Sequence, residues 1–568
     1  MTRILKSQGD RILRTKATPV PPEYLPRKAK LWVRKLAIAS PAFLHPIIVW
    51  AQQRFVDPYA SCPPYIIESQ SQKVKRIGLP LKVKLLNRAR YKVAQALPFL
   101  PSAISGQFVK RWKSLKVLDM NEGPDQFNPL PPDEVSVRIA TFGKENLYKG
   151  QFLYNRELFS SLPKTKPGQR SVVLLNYSYY HHYYLAKALR KRGWNALSIV
   201  AEPPDSASRQ FYHGEDVCFW DGDAEQMRQN ATAITKYVEE NAGMLFWHSE
   251  VLSSIFAECY QGGARDDTPW DLIYLRSKGV KLGVSMSGCL TGTGQTEFNK
   301  HTNGVCNACA WQHNPAVCSD PKNLAVGGMF NSLVDLYAIE GDWVVNASRK
   351  TKRAFREPLT FCLDHELWHP DLEVPRHMRF EKKEGEILIF HSVGNYKTRN
   401  VNDRNIKGTP AVLQAIDRLK SEGYPVKLVF VHDVHSADMK YYQVQADIVV
   451  DQIVYGRYGA SSRECMMLGK PTITRLVREQ PSSVGRSESL DECPLIDASP
   501  TTVYDRLKYL IENPEARKRI GEASRAYAVK WHSAEACAAR FEKVYDRLMA
   551  GKFPLDHPSA YHEEGVLH

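Results

Sequence analysis

Apolar positions along this chain fall into two alternating spacings. Residues 171–176 (SVVLLN) form a short unbroken apolar run, the pattern of a strand covered on both faces. Residues 183–192 then place apolar side chains at helical spacing, Gly193 supplies a stop, and 196–200 is a second apolar run. Together they predict a β-α-β unit. Residues 244–247 and 280–286 predict further strands, with a short helix over 270–278 that ends at Gly279. A second series begins near residue 385. It predicts strands over 386–391, 426–432, 447–450 and 471–474, and helices over 409–422 and 461–468. Two long amphipathic helices, 502–512 and 514–548, close it. Strands alternating with helices of this length predict parallel, doubly wound sheets. The gap near 370–385 therefore predicts an α/β fold of two Rossmann-like domains facing a cleft. Ligands are expected beyond the carboxyl ends of the strands.

Composition narrows the class. Hydrophobic residues make up 43% and charged residues 24% of 568 residues, values of an ordinary globular protein with a sizeable core. The 33 Gly and 35 Pro exclude collagen-like and low-complexity chains. Eleven irregularly spaced Cys are too sparse for a disulfide scaffold. No apolar signal-type stretch occurs before residue 36, so the expected compartment is the reducing cytoplasm.

Charge changes the picture more. Residues 1–120 hold 23 Lys and Arg against 5 Asp and Glu, a net of +18, while the other 448 hold 54 against 56, a net of −2. A basic arm on a neutral body suggests an anionic surface as partner. Within it, residues 36–51 form an uncharged run of 16, interrupted by Pro41 and Pro46 and short for a bilayer span. The arm reads as a solvated helical face, or as a membrane-surface segment at the inner face of a membrane. No recognition-module signature supports nucleic-acid binding. Residues 121–170, rich in Pro, Asn and Gly, read as a linker or a loop-rich insertion. The expected organisation is an arm over 1–120, a linker over 121–170, domains over 171–370 and 371–550, and a tail over 551–568.

Candidate chemistry concentrates in the second series. In 445–472 (QADIVVDQIVYGRYGASSRECMMLGKPT) a strand runs through a glycine-containing loop into a helix. Gly456 and Gly459 admit close backbone approach. Ser461 and Ser462 lie at a helix start that favours anions. Glu464, in the first turn, either complements the helix dipole or accepts bonds from sugar hydroxyls. Upstream, 391–409 (HSVGNYKTRNVNDRNIKGT) places Lys397, Arg399, Arg404 and Lys407 in one loop after a strand. That loop is either a solvated basic loop or a diphosphate site.

These stretches, with the long final helices and the segment 356–370 (REPLTFCLDHELWHP), resemble GT-B glycosyltransferases of the broad retaining class called family 4. The resemblance covers about 171–550. It implies that Lys407 contacts a donor diphosphate, accompanied by Arg399 or Arg404. It implies that Tyr458, Gly459 and Ser461 belong to the loop beneath the donor, and that Glu464 sits at the donor ribose as the second Glu of a Glu-x7-Glu motif. Gly456 stands at the first Glu position, and Ser287 stands where the family's usual His would fall. His248 is then the substitute catalytic candidate, with a packed strand-end histidine as the plain alternative. Gly288 and Gly292, in the loop 288–294, either approach the donor phosphates through backbone N–H groups or belong to a plain turn.

The implied function is transfer of a sugar from a nucleotide-sugar to a saccharide or lipid-linked acceptor, in surface polysaccharide or glycolipid assembly. No catalytic metal or other cofactor is implied. The alternative is a non-catalytic carbohydrate- or membrane-binding protein on a degenerate GT-B frame. A nucleotide-sugar epimerase would need catalytic carboxylates and histidines that no motif marks. Finally, Cys289, Cys306, Cys309 and Cys318 lie within 30 residues. They read either as free thiols of an insertion over 289–318 or as a structural zinc site.

Overall fold

The run predicted over 171–176 forms strand β1 (Ser171–Leu175), buried at every residue. It opens the first sheet in this computed structural model, which describes residues 162–176, 179–203, 206–249, 269–286, 294–301, 304–309, 318–320, 333–339, 353–394, 407–432, 434–477 and 487–554, with short stretches or single residues at 136, 137, 139, 140, 143–147, 255, 256, 312, 323 and 396. The basic arm lies outside the described residues, as do most of the linker and nearly all of the tail.

After β1 come α1 (His181–Lys191), β2 (Asn195–Val200), β3 (Val217–Cys218), α2 (Ala224–Asn241), β4 (Met244–Ser249), α3 (Trp270–Ser277), β5 (Lys281–Met286), α4 (Gln295–His301), β6 (Leu336–Ala338) and β7 (Ala354–Phe355). The strands pair in parallel in the order β3-β2-β1-β4-β5-β6-β7. The second sheet contains β8 (Ile387–Val393), β9 (Val426–His432), β10 (Ile448–Val450), β11 (Thr472–Thr474) and β12 (Ile496–Asp497), also parallel, in the order β12-β11-β10-β8-β9. Its helices are α5 (Thr409–Ser421), α6 (Met439–Gln443), α7 (Ala460–Met467), α8 (Glu488–Asp491) and α9 (Val503–Glu512). Strand order reverses between β1 and β4 in one sheet and between β8 and β10 in the other. In doubly wound sheets those reversals open the crevice that takes a ligand.

The expected helix over 514–548 is two helices, α10 (Pro514–His532) and α11 (Ala534–Met549). Ser533 is extended, with φ −67° and ψ 147°, and its side chain accepts from the Ala536 N–H. Leu363 holds the break from both sides: its N–H donates to His532, and its carbonyl accepts from Ala534, each at 2.8 Å. The break lets α11 return to the first sheet. There Arg192 and Trp194 bond Glu542, and the Trp194 and Tyr545 rings lie 4.6 Å apart.

One apolar core consequently runs from β1, α1 and β4 through Trp368 to Met466 and Met467 of α7, and on to Phe541 of α11. Two smaller clusters cover the two faces of the second sheet.

Candidate functional site

The turn from β1 into α1 is strained. Asn176 and Tyr179 have φ of 62° and 56°. Asn tolerates this left-handed region, but for Tyr179 it is costly and persists where the surroundings over-determine it. The turn delivers Tyr180, which is fully buried against Trp368 at 5.1 Å and His181 at 4.7 Å between ring centres. Its hydroxyl donates to Oε1 of Glu464. The two reversal points are thus joined by one hydrogen bond between side chains 284 residues apart.

Glu464 is buried, and its second oxygen accepts from Gln443 Nε2 at 2.6 Å. Burial raises its pKa, and the bonds from Tyr180 and Gln443 oppose the rise. Both oxygens already have protein partners in this conformation. The resemblance had implied bonds to ribose there.

Lys407 occupies the end of the loop that follows β8. It is buried, and its ammonium pairs with Oδ1 of Asp451, a fully buried carboxylate just beyond β10. Ser462 of α7 donates to the other oxygen at 2.6 Å. Burial pushes the Asp451 pKa up, but the Lys407 charge and the hydrogen bonds from Lys407 and Ser462 outweigh it, leaving the carboxyl below its usual range. His391 completes the network. Its Nδ1–H donates to the Val450 carbonyl and its Nε2 accepts from the Thr409 hydroxyl, both at 2.8 Å. The carbonyl accepts only, so it fixes the tautomer. Burial pushes this imidazole down to about 4.

Gly408, between Lys407 and Thr409, is required by its geometry. Its φ is 77°, and a Cβ would lie 2.3 Å from Ile453. Gly456 is also left-handed, with φ 85°, so the backbone itself disfavours a Glu at that position. Gly459 sits at the start of α7, and Ser461 is half-buried in its first turn. Tyr458 is buried at its hydroxyl end, which meets Tyr527 at 3.0 Å and His532 at 3.1 Å. Burial raises its pKa.

His248 closes β4. It is buried, and its Nδ1 lies 2.8 Å from the Ser285 hydroxyl. Burial first, then His182 and Arg463, push it down to about 3. The ring is therefore neutral near neutral pH, able to orient a hydroxyl and weak as a base. His182, 6.3 Å away between ring centres, is pushed down by burial to about 4.

Arg399, Arg404, Gly288, Gly292 and Cys289 lie outside the described residues. Cys306 and Cys318 are buried and Cys309 is half-buried; none of the three is in a disulfide. Burial, with the nearby Cys309 and Cys318 thiols, pushes Cys306 up to about 12. Among the described residues no group of three His, Cys, Asp or Glu is placed to hold a metal ion. Among them, too, no helix is long and apolar enough to cross a membrane.

Tyr180, His181, Gln443, Asp451 and Arg463 were not singled out by sequence reasoning. Asp451 carried a readable signal, a lone carboxylate ending the apolar strand ADIVVD. Tyr180 and Gln443 carried none, because their partner is far away in sequence.

No family model matches the chain, and no curated protein matches it. Among solved structures it is similar to sucrose-phosphate synthase from Thermosynechococcus elongatus, at 13% identity over 68% of this chain and 100% of that one, with a TM-score of 0.43. It is similar to the catalytic domain of starch synthase IV from Arabidopsis thaliana, bound to ADP and acarbose, at 10% identity over 67% and 100%, TM-score 0.40. It is similar also to UDP-GlcNAc 2-epimerase from Neisseria meningitidis, bound to UDP-GlcNAc, at 9% identity over 65% and 98%, TM-score 0.35. The chemistry has to be read from the site itself.

Proposed function

We propose that the protein is a GT-B glycosyltransferase that moves a sugar from a nucleotide-sugar donor to a saccharide or lipid-linked acceptor, in surface polysaccharide or glycolipid assembly. The observation that supports this reading is the meeting of two sheet reversal points at the Tyr180–Glu464 hydrogen bond. A ligand lying there reaches the carboxyl ends of both sheets, with a nucleoside diphosphate against the second and the transferred sugar towards the first. As the glycosidic bond breaks, the diphosphate gains negative charge. Pre-placed cations and helix N-termini offset that charge most where water is excluded.

In this reading the Lys407–Asp451–Ser462 network holds the turn before α5 against the start of α7, and so fixes the loop beneath the donor. His248 orients a substrate hydroxyl through Nε2.

A second reading keeps the same frame without the reaction. Lys407 is neutralised by Asp451, and both Glu464 oxygens are occupied. These two saturated groups favour a carbohydrate-binding protein. Incubation of the full chain with UDP-, GDP- and ADP-sugars separates the readings. The transferase should release one nucleoside diphosphate selectively and be stabilised by that nucleotide in a thermal melt. Stabilisation by saccharides with no nucleotide release would leave the binding frame.

A further inference from the structure

Arg463 of α7 is 8% exposed. Its Nε has no hydrogen-bond partner, and among the described residues no carboxylate pairs with its guanidinium. The guanidinium lies over two rings instead, 4.7 Å from the centre of Phe361 and 5.3 Å from that of Tyr458. Ring faces attract a cation without neutralising it. A buried charge left this way is costly, and it persists where it serves a ligand.

Phe361 gathers the other groups. His181 lies 5.5 Å and His248 5.6 Å from it, centre to centre. His181 opens α1, whose start has no side-chain cap, so the free N–H groups of the first turn add positive potential. Its Nδ1 bonds the Cys362 carbonyl at 2.6 Å, while its buried Nε2 has no partner. A carbonyl accepts only, so Nδ1 carries the proton and Nε2 presents a lone pair. The groups come from both sheets and from the segment between them.

We propose that Arg463 and His181 form a subsite for an oxyanion carried on a hydroxylated ligand: the guanidinium fork holds the oxyanion, and the His181 Nε2 accepts a bond from a neighbouring hydroxyl. A fork of this kind fits phosphate and carboxylate oxygens in pairs. The oxyanion has three sources in sugar chemistry: the diphosphate of a donor, a phosphate on an acceptor, or the carboxylate of an acidic sugar. The subsite gives the transferase reading a ligand group, and in that sense rests on it.

The test is thermal melting of the full chain, wild type and Arg463→Met, with UDP, glucose 6-phosphate, glucuronate and glucose as probes. At least one anionic probe should stabilise the wild type, with glucose alone much weaker, and the identity of that probe names the source. In Arg463→Met its apparent affinity should fall at least 10-fold, while the melting temperature without ligand stays level or rises because an unpaired charge has gone. Arg463→Lys, which keeps the charge and loses the fork, should bind with intermediate affinity and serves if the Met variant does not fold. Unchanged affinity in either variant, or no stabilisation of the wild type by any anionic probe, overturns the subsite. The transferase reading fails separately. Loss of probe binding in Arg463→Met with no nucleotide release from any nucleotide-sugar keeps the subsite and removes the reaction. Selective nucleotide release with Arg463 variants unaffected does the reverse.

Discussion

Lys407 shows how burial changes the work a residue does. In the linear chain it is one of four cations in a polar loop, and a solvated or phosphate-facing role follows equally well. Folded, it shares a dry environment with Asp451, and each charge depends on the other. Removing one partner of a buried pair costs about 3–5 kcal/mol, because it strands the other. Lys407→Met should therefore lower stability by about that amount in urea unfolding, and Lys407→Met with Asp451→Leu should recover much of it. A loss below about 1 kcal/mol in the single variant would show that Asp451 finds another partner. Gly456 teaches the complementary lesson. Its place in the motif was legible, but the reason for glycine was its left-handed φ, a property of the folded loop.

At the scale of elements, local patterning reached far. Strand β9 was predicted to the residue, and α5, α7 and α9 to within one residue at each end. Short buried runs and glycine stops carry their meaning in a few adjacent positions. The two-residue strands β3, β7 and β12 were beyond reach, since pairing alone makes them strands. Helix α2 did carry a signal that went unread: Asp223 caps it by accepting from the Gln226 N–H at 2.8 Å, the bond of an N-cap aspartate. The break at Ser533 had the same kind of cue, a serine before Ala-Glu-Ala. Ser533→Ala removes the cap and should cost about 1 kcal/mol. Denaturant unfolding measures it, and a neutral result would show that the two Leu363 bonds suffice to hold the break.

For the whole molecule, buried histidines set the response to acid. Burial pushes His182, His213 and His391 down to about 4 and His248 to about 3, and holds His181 and His532 well below their usual value. Each binds a proton more weakly folded than unfolded, so the unfolded chain takes up protons first as pH falls below about 6.5. Stability from these groups is present above that pH and is lost towards pH 4. One histidine with a folded value of about 4 accounts for roughly 3 kcal/mol by then. Asp271, pushed up by burial to about 6, and the raised Glu464 act in the opposite direction but are fewer. Asp451, held low, withdraws its contribution only in stronger acid. The melting temperature should therefore be highest at or above pH 7 and fall between pH 6.5 and 4. A flat profile across that window would mean that these imidazoles are solvated. The sequence by itself determined the α/β class, the two series of strands and the position of the loop beneath the second sheet. Those depend on the spacing of apolar residues and on glycine, which act over a few neighbours. Only the tertiary structure decided that Tyr180 closes on Glu464, that α11 returns to the first sheet, and that Arg463 carries a charge no described carboxylate answers. Each depends on which distant groups share a desolvated space, and the energy of a charge or polar group there is set by those neighbours rather than by its own place in the chain.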